Sequence, residues 1–190
     1  MIFPIVAFGH PNLRKVAVDI DKDYPDLDKL IESMYESMYE SKGVGLAAPQ
    51  INKSIRLFVI DAEPFSDEIP ESIAFKQVFI NAKIVEQSGE EWAFNEGCLS
   101  VPGINEDVIR PPKIRIQYYD QNWQFFDEVY EGIPARIIQH EYDHLDGIVF
   151  VDRISGLRKT LIKGKLMDIA KGITSADYKM IFANPRKKRK

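Results

Sequence analysis

Ile137-Ile138-Gln139-His140-Glu141-Tyr142-Asp143-His144-Leu145 holds two of the chain's three histidines, four residues apart. On an α-helix, residues i and i+4 share a face and lie about 5–6 Å apart at Cβ. Two imidazoles so spaced can bind one metal ion, and a glutamate beside the first can reach a metal-activated water as general base. The stretch therefore predicts a helix with a hydrolytic metal site. Pro134 falls in its first turn and Gly147 ends it. Ile133, Arg136 and Ile137 fall seven, four and three residues before His140 and share its face, so two isoleucines would wall an apolar pocket beside the metal.

A catalytic metal of this kind keeps three protein ligands and one open position. No Glu follows Glu141 and no His follows His144. Asp146 and Asp152 are formal alternatives, but Asp146 is only two residues from His144, a poor angle on a continuing helix. The better donor is upstream: Cys98, whose thiolate binds zinc or ferrous iron strongly. The ligand count thus points to Cys98, His140 and His144. His10, in the turn-rich Phe8-Gly9-His10-Pro11-Asn12, reads as a turn or surface residue.

Outward from that helix, Leu27, Leu30, Ile31, Met34, Tyr35 and Met38 recur at helical spacing and predict a first helix over 25–41, with Pro25 in its first turn and Gly43 as its stop. Gly43-Val44-Gly45-Leu46-Ala47-Ala48-Pro49-Gln50 follows. Its glycines let a backbone come close to something, although a tight turn explains them equally well. Strands are expected at 55–60, 77–81, 83–86, 114–120 and 123–128, with 108–110 extended and an exposed loop over 61–75. Cys98 falls after Gly97 and before Pro102-Gly103, on a loop or strand end. Ile148–Val151 reads as a short strand. Residues 155–171 read as a final helix with Leu157, Leu161, Ile162, Leu166 and Ile169 on its apolar side. The expected organisation is one catalytic domain over 1–171 and a loosely held tail over 172–190 with a basic end.

The 190 residues are 45% hydrophobic and 28% charged, ordinary for one domain with a sizeable core. Net charge is −4; removing the five positive charges of residues 186–190 leaves −9, which argues against a nucleic-acid-binding face. No apolar run reaches the roughly 20 residues of a membrane span. The first residues lack the basic region and cleavage site of a leader. With a lone cysteine, these features predict the cytoplasm.

Three stretches together, Gly43–Gln50, Glu96-Gly97-Cys98-Leu99-Ser100 and Gln139–His144, resemble in order and spacing the signature motifs of bacterial peptide deformylases. Pro11–Ala17 is similar to that family's N-terminal segment, and the resemblance covers about residues 5–170. His10 stands where Asp is usual, the 61–75 loop is long, and 172–190 matches nothing.

The resemblance implies an α+β fold: antiparallel β-sheets packed around the central metal-binding helix, here with an N-terminal and a C-terminal helix. It implies one divalent metal on Cys98, His140 and His144, ferrous iron first, with zinc, nickel or cobalt as alternatives. Glu141 would be the general base. Gln50, through its side-chain amide, and Leu99, through its N–H, would donate to the oxyanion. Gly45 would bind the substrate backbone, and the methionine side chain would lie on Val44, Ile133 and Ile137 with Arg136 nearby. The implied substrate is the N-formylmethionyl end of a nascent polypeptide, cleaved to formate and a free N-terminus. The basic tail could meet ribosomal RNA near emerging chains, with a solvated tail as the competing reading; no sequence-specific nucleic acid and no membrane are expected. Two other classes remain open: an H-E-x-x-H peptidase cutting internal bonds, and a non-enzymatic domain with a closed structural metal site.

Overall fold

Residues Ile133 to Leu145 are buried on almost every side, and Arg136, Gln139, His140 and Asp143 among their polar members meet hydrogen-bond partners inside the fold. The computed structural model describes residues 1–63 and 75–183. Its chain order is β1 (Ile5–Val6), α1 (Leu27–Glu40), β2 (Gly45–Ala47), β3 (Leu57–Asp61), β4 (Lys76–Ser88), β5 (Trp92–Gly97), β6 (Asn105–Arg110), β7 (Lys113–Tyr119), β8 (Phe125–Glu131), α2 (Gly132–Leu145), α3 (Gly156–Ala170) and β9 (Met180–Ile181). The fold is α+β, as expected, with α2 at its centre.

An antiparallel sheet runs in the order β2-β3-β4-β7-β8; β7 and β8 leave alternate residues exposed, while at β2 and β3 it is covered on both faces. Alternation along β3 shows how. Phe58 and Ile60 join the cluster that packs on Ala135, Ile138 and Leu145 of α2. Leu57 and Val59 join the cluster of Leu30, Met34 and Met38 from α1. All five residues of β3 are therefore buried, as a central strand between two helices requires. The β5–β6 hairpin forms a second antiparallel sheet beside α2.

Several expectations are corrected in detail. Pro25 lies outside α1, whose N-cap is Asp26 in left-handed conformation (φ 54°), and Lys42 rather than Gly43 takes the left-handed position after the helix (φ 58°). Strands 77–81 and 83–86 are one strand, β4, with a register shift between Ile80 and Lys83. Asn81 sits in that bulge at φ 53°, and its side chain pins the N-terminal arm through Ile20 N (2.9 Å) and Ile20 O (2.7 Å). Ile148–Val151 is not a strand. The chain there forms a 3-10 turn at Phe150–Asp152, stabilised by Val149 N–H donating to Asp152 Oδ2 at 2.8 Å, and its apolar residues serve burial rather than pairing.

On α3, only Ile162, Leu166 and Ile169 are buried; Leu157 and Leu161 are exposed because they lie round the helix from that i, i+4, i+7 stripe. Part of the segment expected to be loose is held: β9 pairs in parallel with β1, Ile5 opposite Met180 and Val6 opposite Ile181. Most of the 61–75 loop (64–74) and the basic end (184–190) lie outside the described residues.

The C-terminus of α2 is clamped by the N-terminal arm. Ala17 N–H donates to Leu145 O at 2.7 Å, and Arg14 donates to Gly147 O at 3.3 Å. Gly147 has φ +73°, and a Cβ there would lie 2.8 Å from Arg14 O. Gly103 has a similar φ, +72°, with nothing nearby. Gly147→Ala should cost about 2–3 kcal/mol and Gly103→Ala about 1 kcal/mol, because the first adds a backbone clash to left-handed strain. Denaturant midpoints for the two variants test this; equal losses would contradict it.

Candidate metal centre and its cleft

Helical periodicity on α2 turns His140 and His144 to one side, with ring centroids 5.4 Å apart. β5 ends at Gly97 and delivers Cys98 opposite them, its Sγ 3.4 Å from His144 Nε2. One ligating atom each from Cys98, His140 and His144 lie within 4.8 Å of one another. The third element is the 3-10 turn at Ala48–Ile51 after β2. There Gln50 Oε1 accepts from Ala47 N–H at 2.8 Å, so Nε2 faces the centre, 3.5 Å from Cys98 Sγ and 3.4 Å from Ser100 Oγ.

A charged lattice holds these groups. Glu96 Oε2 lies 2.9 Å from His140 Nδ1, which leaves Nε2 of that ring for the cleft. Arg110 binds Glu96 through Nε (2.7 Å) and Nη2 (3.0 Å), and Asp143 through Nη1 (2.7 Å); Arg153 closes on Asp143 from outside. Burial alone would raise the Glu96 carboxyl, but the hydrogen bonds of His140 and Arg110 outweigh it and hold Glu96 well below the usual carboxylate range. Buried charges survive when so paired, whereas removing one partner of such a set typically costs about 3–5 kcal/mol.

Burial acts without such compensation on two groups. It pushes Glu141 up to about 7. It also pushes His144 well below the imidazole range, with the neighbouring His140 adding to the effect, which favours the neutral, ligating form. Burial pulls on His140 too, but hydrogen bonds with Cys98 and Glu96 outweigh it and raise that group. The anionic partners that favour a proton on His140 would equally favour a metal cation. One sulfur and two nitrogen donors also match a three-ligand catalytic set. Buried Glu141 Oε2, with no hydrogen-bond partner among the described residues, stands beside them. The residues fit a divalent metal.

The centre opens into a cavity of about 600 Å³. Val44, Gly45, Gln50, Cys98, Leu99, Ile133, Arg136, Ile137, His140 and Glu141 all line it; His144, 1% exposed, lies behind. Arg136 borders the cleft with its charge committed elsewhere. Its guanidinium stacks 4.6 Å from the Trp92 ring and donates to Trp92 O (2.8 Å), Val108 O (3.1 Å) and Glu96 Oε1 (3.2 Å). Gly45 has an added reason to be glycine: a Cβ would lie 2.5 Å from Glu141 Oε1.

The sequence reading missed the supporting groups. Glu96 stood in a quoted motif without a role. Arg110 could have been suspected, since it shares the inward parity of Val108 on β6 and is a charge where an apolar residue is expected. Residues 175–178, which also line the cleft, carried no signal at all.

A sequence model of polypeptide deformylases matches residues 2–160. The peptide deformylases of Christiangramia forsetii and Flavobacterium johnsoniae are 53% and 52% identical to this chain over the whole of each protein. The crystal structure of a peptide deformylase from Legionella pneumophila superposes with a TM-score of 0.77 at 38% identity, covering 88% of this chain and 95% of that one. Full-length similarity of this kind, around a sulfur–nitrogen donor set on an H-E-x-x-H helix, means that the chain belongs to the polypeptide deformylase family, metal-dependent hydrolases that remove the formyl group from N-formylmethionyl nascent peptides.

Proposed function

We propose that Cys98, His140 and His144 hold one divalent metal ion, ferrous iron in the native protein, and that Glu141 is the general base of deformylation. The observation that carries this reading is the convergence of one thiol and two imidazoles within 4.8 Å beside a buried carboxylate oxygen without a partner. The donor set suits zinc and ferrous iron alike. The family resemblance favours iron; zinc, nickel and cobalt are the substitutes. When bound, such an ion supplies a Lewis acid and lowers the pKa of a water towards ~7.

The chain's own residues do the rest. Glu141 takes the proton of the attacking water on its carboxylate and later returns it to the leaving amine. Gln50 Nε2 and the Leu99 N–H donate to the formyl oxygen as charge grows there, each contributing about 3–4 kcal/mol to the transition state. Gln50 is preorganised for this by its bond from Ala47. Gly45 hydrogen-bonds the substrate backbone. Val44, Ile133 and Ile137 take the methionine side chain, and Arg136 contributes its stem to that wall. A formyl carbon carries only hydrogen, so a gap bounded by Gly45 and Leu99 admits it and excludes acetyl.

No helix among the described residues is long and apolar enough to cross a membrane. We assign the protein to the cytoplasm, where nascent chains leave the ribosome. The catalytic unit, proposed from sequence as 1–171, extends in this reading to the cleft residues 175–178.

Formate release from a formyl-Met peptide, by protein purified without oxygen and loaded with ferrous iron, tests the reading. Formate from the formylated peptide, and no acetate from the acetylated one, is expected. Equal hydrolysis of both, or cleavage of internal bonds, overturns it. Gly45→Ala should lower kcat about 10–100-fold with the fold intact, because the new methyl displaces the Glu141 carboxylate rather than a backbone. Unchanged kcat in that variant would argue against Glu141 acting from its present position.

A further inference from the structure

The loop after β5 carries both Cys98 and Leu99, and three distant parts of the chain hold it. Phe8 N–H donates to Ser100 O at 2.8 Å. Gln50 Nε2 reaches Ser100 Oγ at 3.4 Å. Tyr178 Oη–H donates to Leu99 O at 2.7 Å. The first two belong to stretches the family resemblance covers. The third comes from the segment that the resemblance leaves out.

That segment has a fixed path. β9 begins two residues after Tyr178, and its pairing with β1 includes Ile5 N–H donating to Lys179 O at 2.8 Å, immediately after Tyr178. On the other side, Asp177 pairs with Lys42 at 2.7 Å, just before Gly43-Val44-Gly45. The backbone just after Tyr178 is thus tied, an exposed ion pair flanks it on the other side, and the Tyr178 ring packs on the same cluster as Leu99. Leu99 is only partly buried and sits on a turn that opens to the cleft. Val101 N–H donates to Cys98 O at 2.8 Å and so anchors the peptide unit before the Leu99 Cα, while the unit after it is held by Tyr178. The Tyr178 hydroxyl is the polar contact that fixes its carbonyl.

We propose that Tyr178 is a positioning residue for deformylation: by holding the Leu99 carbonyl, in the peptide unit next to the one that carries the Leu99 N–H, it restricts rotation of the Leu99 backbone and so keeps that N–H directed towards the formyl oxygen. This rests on the reading of Leu99 as an oxyanion donor. A donor stabilises a transition state only if it already points where charge will develop, so loss of its anchor lowers turnover rather than substrate affinity. The segment after α3 is then part of the active site, not an appendage.

The test is Tyr178→Phe, which keeps the ring and its packing and removes one hydroxyl. On the ferrous enzyme, kcat for a formyl-Met peptide should fall about tenfold with KM within about twofold, the size expected for one lost hydrogen bond acting in the transition state. Metal content and melting temperature should match the parent. In zinc-loaded protein, the Leu99 amide resonance should shift on adding formate, whose oxygen stands for the formyl oxygen, and this shift should shrink in the variant. Unchanged kcat, a rise confined to KM, or a loss of turnover that tracks melting temperature or metal content overturns the proposal. A Leu99 amide in the parent that ignores formate overturns the donor reading beneath it, and a responsive amide that is the same in the variant overturns only the role of Tyr178.

Discussion

Glu141→Ala should retain metal and lose about 10²–10⁴-fold in turnover, the range spanned by a positioned general acid–base. The reason lies in what surrounds the carboxylate. Its neighbours in the cleft are Gln50, whose amide points a donor at the centre, and Gly45, a bare backbone. Neither can take a proton from water. Glu96 is buried nearby, but Arg110, Arg136 and His140 already occupy its oxygens and hold it far below the range of a useful base. Glu141 is different: burial lifts it to about 7, near the pH at which a base works best. Glu141 Oε2 meets no partner among the described residues, so alanine removes no bond from that oxygen to the rest of the fold and should change the melting temperature little. Formate release, metal content and melting temperature measured on one preparation test all three points. Retained turnover would sink the assignment.

Cys98→Ser should weaken metal retention about a hundredfold or more while the fold survives. A neutral hydroxyl replaces the one ligand that brings a negative charge, and losses of 10–100-fold already follow from disturbing residues behind a ligand. Cys98 stands at the end of β5, outside the strand pairing, so its replacement leaves the β5–β6 register untouched. Its sulfur lies 3.4 Å from His144 Nε2 and 3.5 Å from Gln50 Nε2, and serine, of similar size, changes the chemistry of that atom more than its packing. Metal content after dialysis against a chelator is the measurement. Retention should also fall as pH falls, since each ligand must lose its proton to bind. A serine variant that keeps its metal would transfer the ligand role elsewhere.

Local chemistry made the centre of this protein legible in its sequence. Two histidines four apart, a glutamate between them and the absence of any downstream Glu or His pointed to Cys98, ahead of Asp146 and Asp152, before any contact was known. Helical spacing placed Ile133 and Ile137 on the wall of the cleft. These inferences hold because a helix fixes neighbours at three and four residues, whatever surrounds it. The elements misread were those whose backbone is decided by a distant partner. β4 is continuous because Asn81 bulges to grip Ile20, sixty-one residues away. The apolar run at Val149–Val151 fills a core instead of joining a sheet.

The sequence by itself determined α2, the spacing of the residues proposed as ligands and base, and the family to which the chain belongs. Only the tertiary structure decided how that helix is supported: Arg110 between Glu96 and Asp143, the Arg136 guanidinium bound to Glu96 and Trp92 O, and Tyr178 bonded to the Leu99 carbonyl. Ligand spacing is a short-range property of the backbone. Neutralising a buried charge or anchoring a carbonyl depends on which remote side chain the packed core brings within hydrogen-bonding distance, and no period in the sequence encodes that.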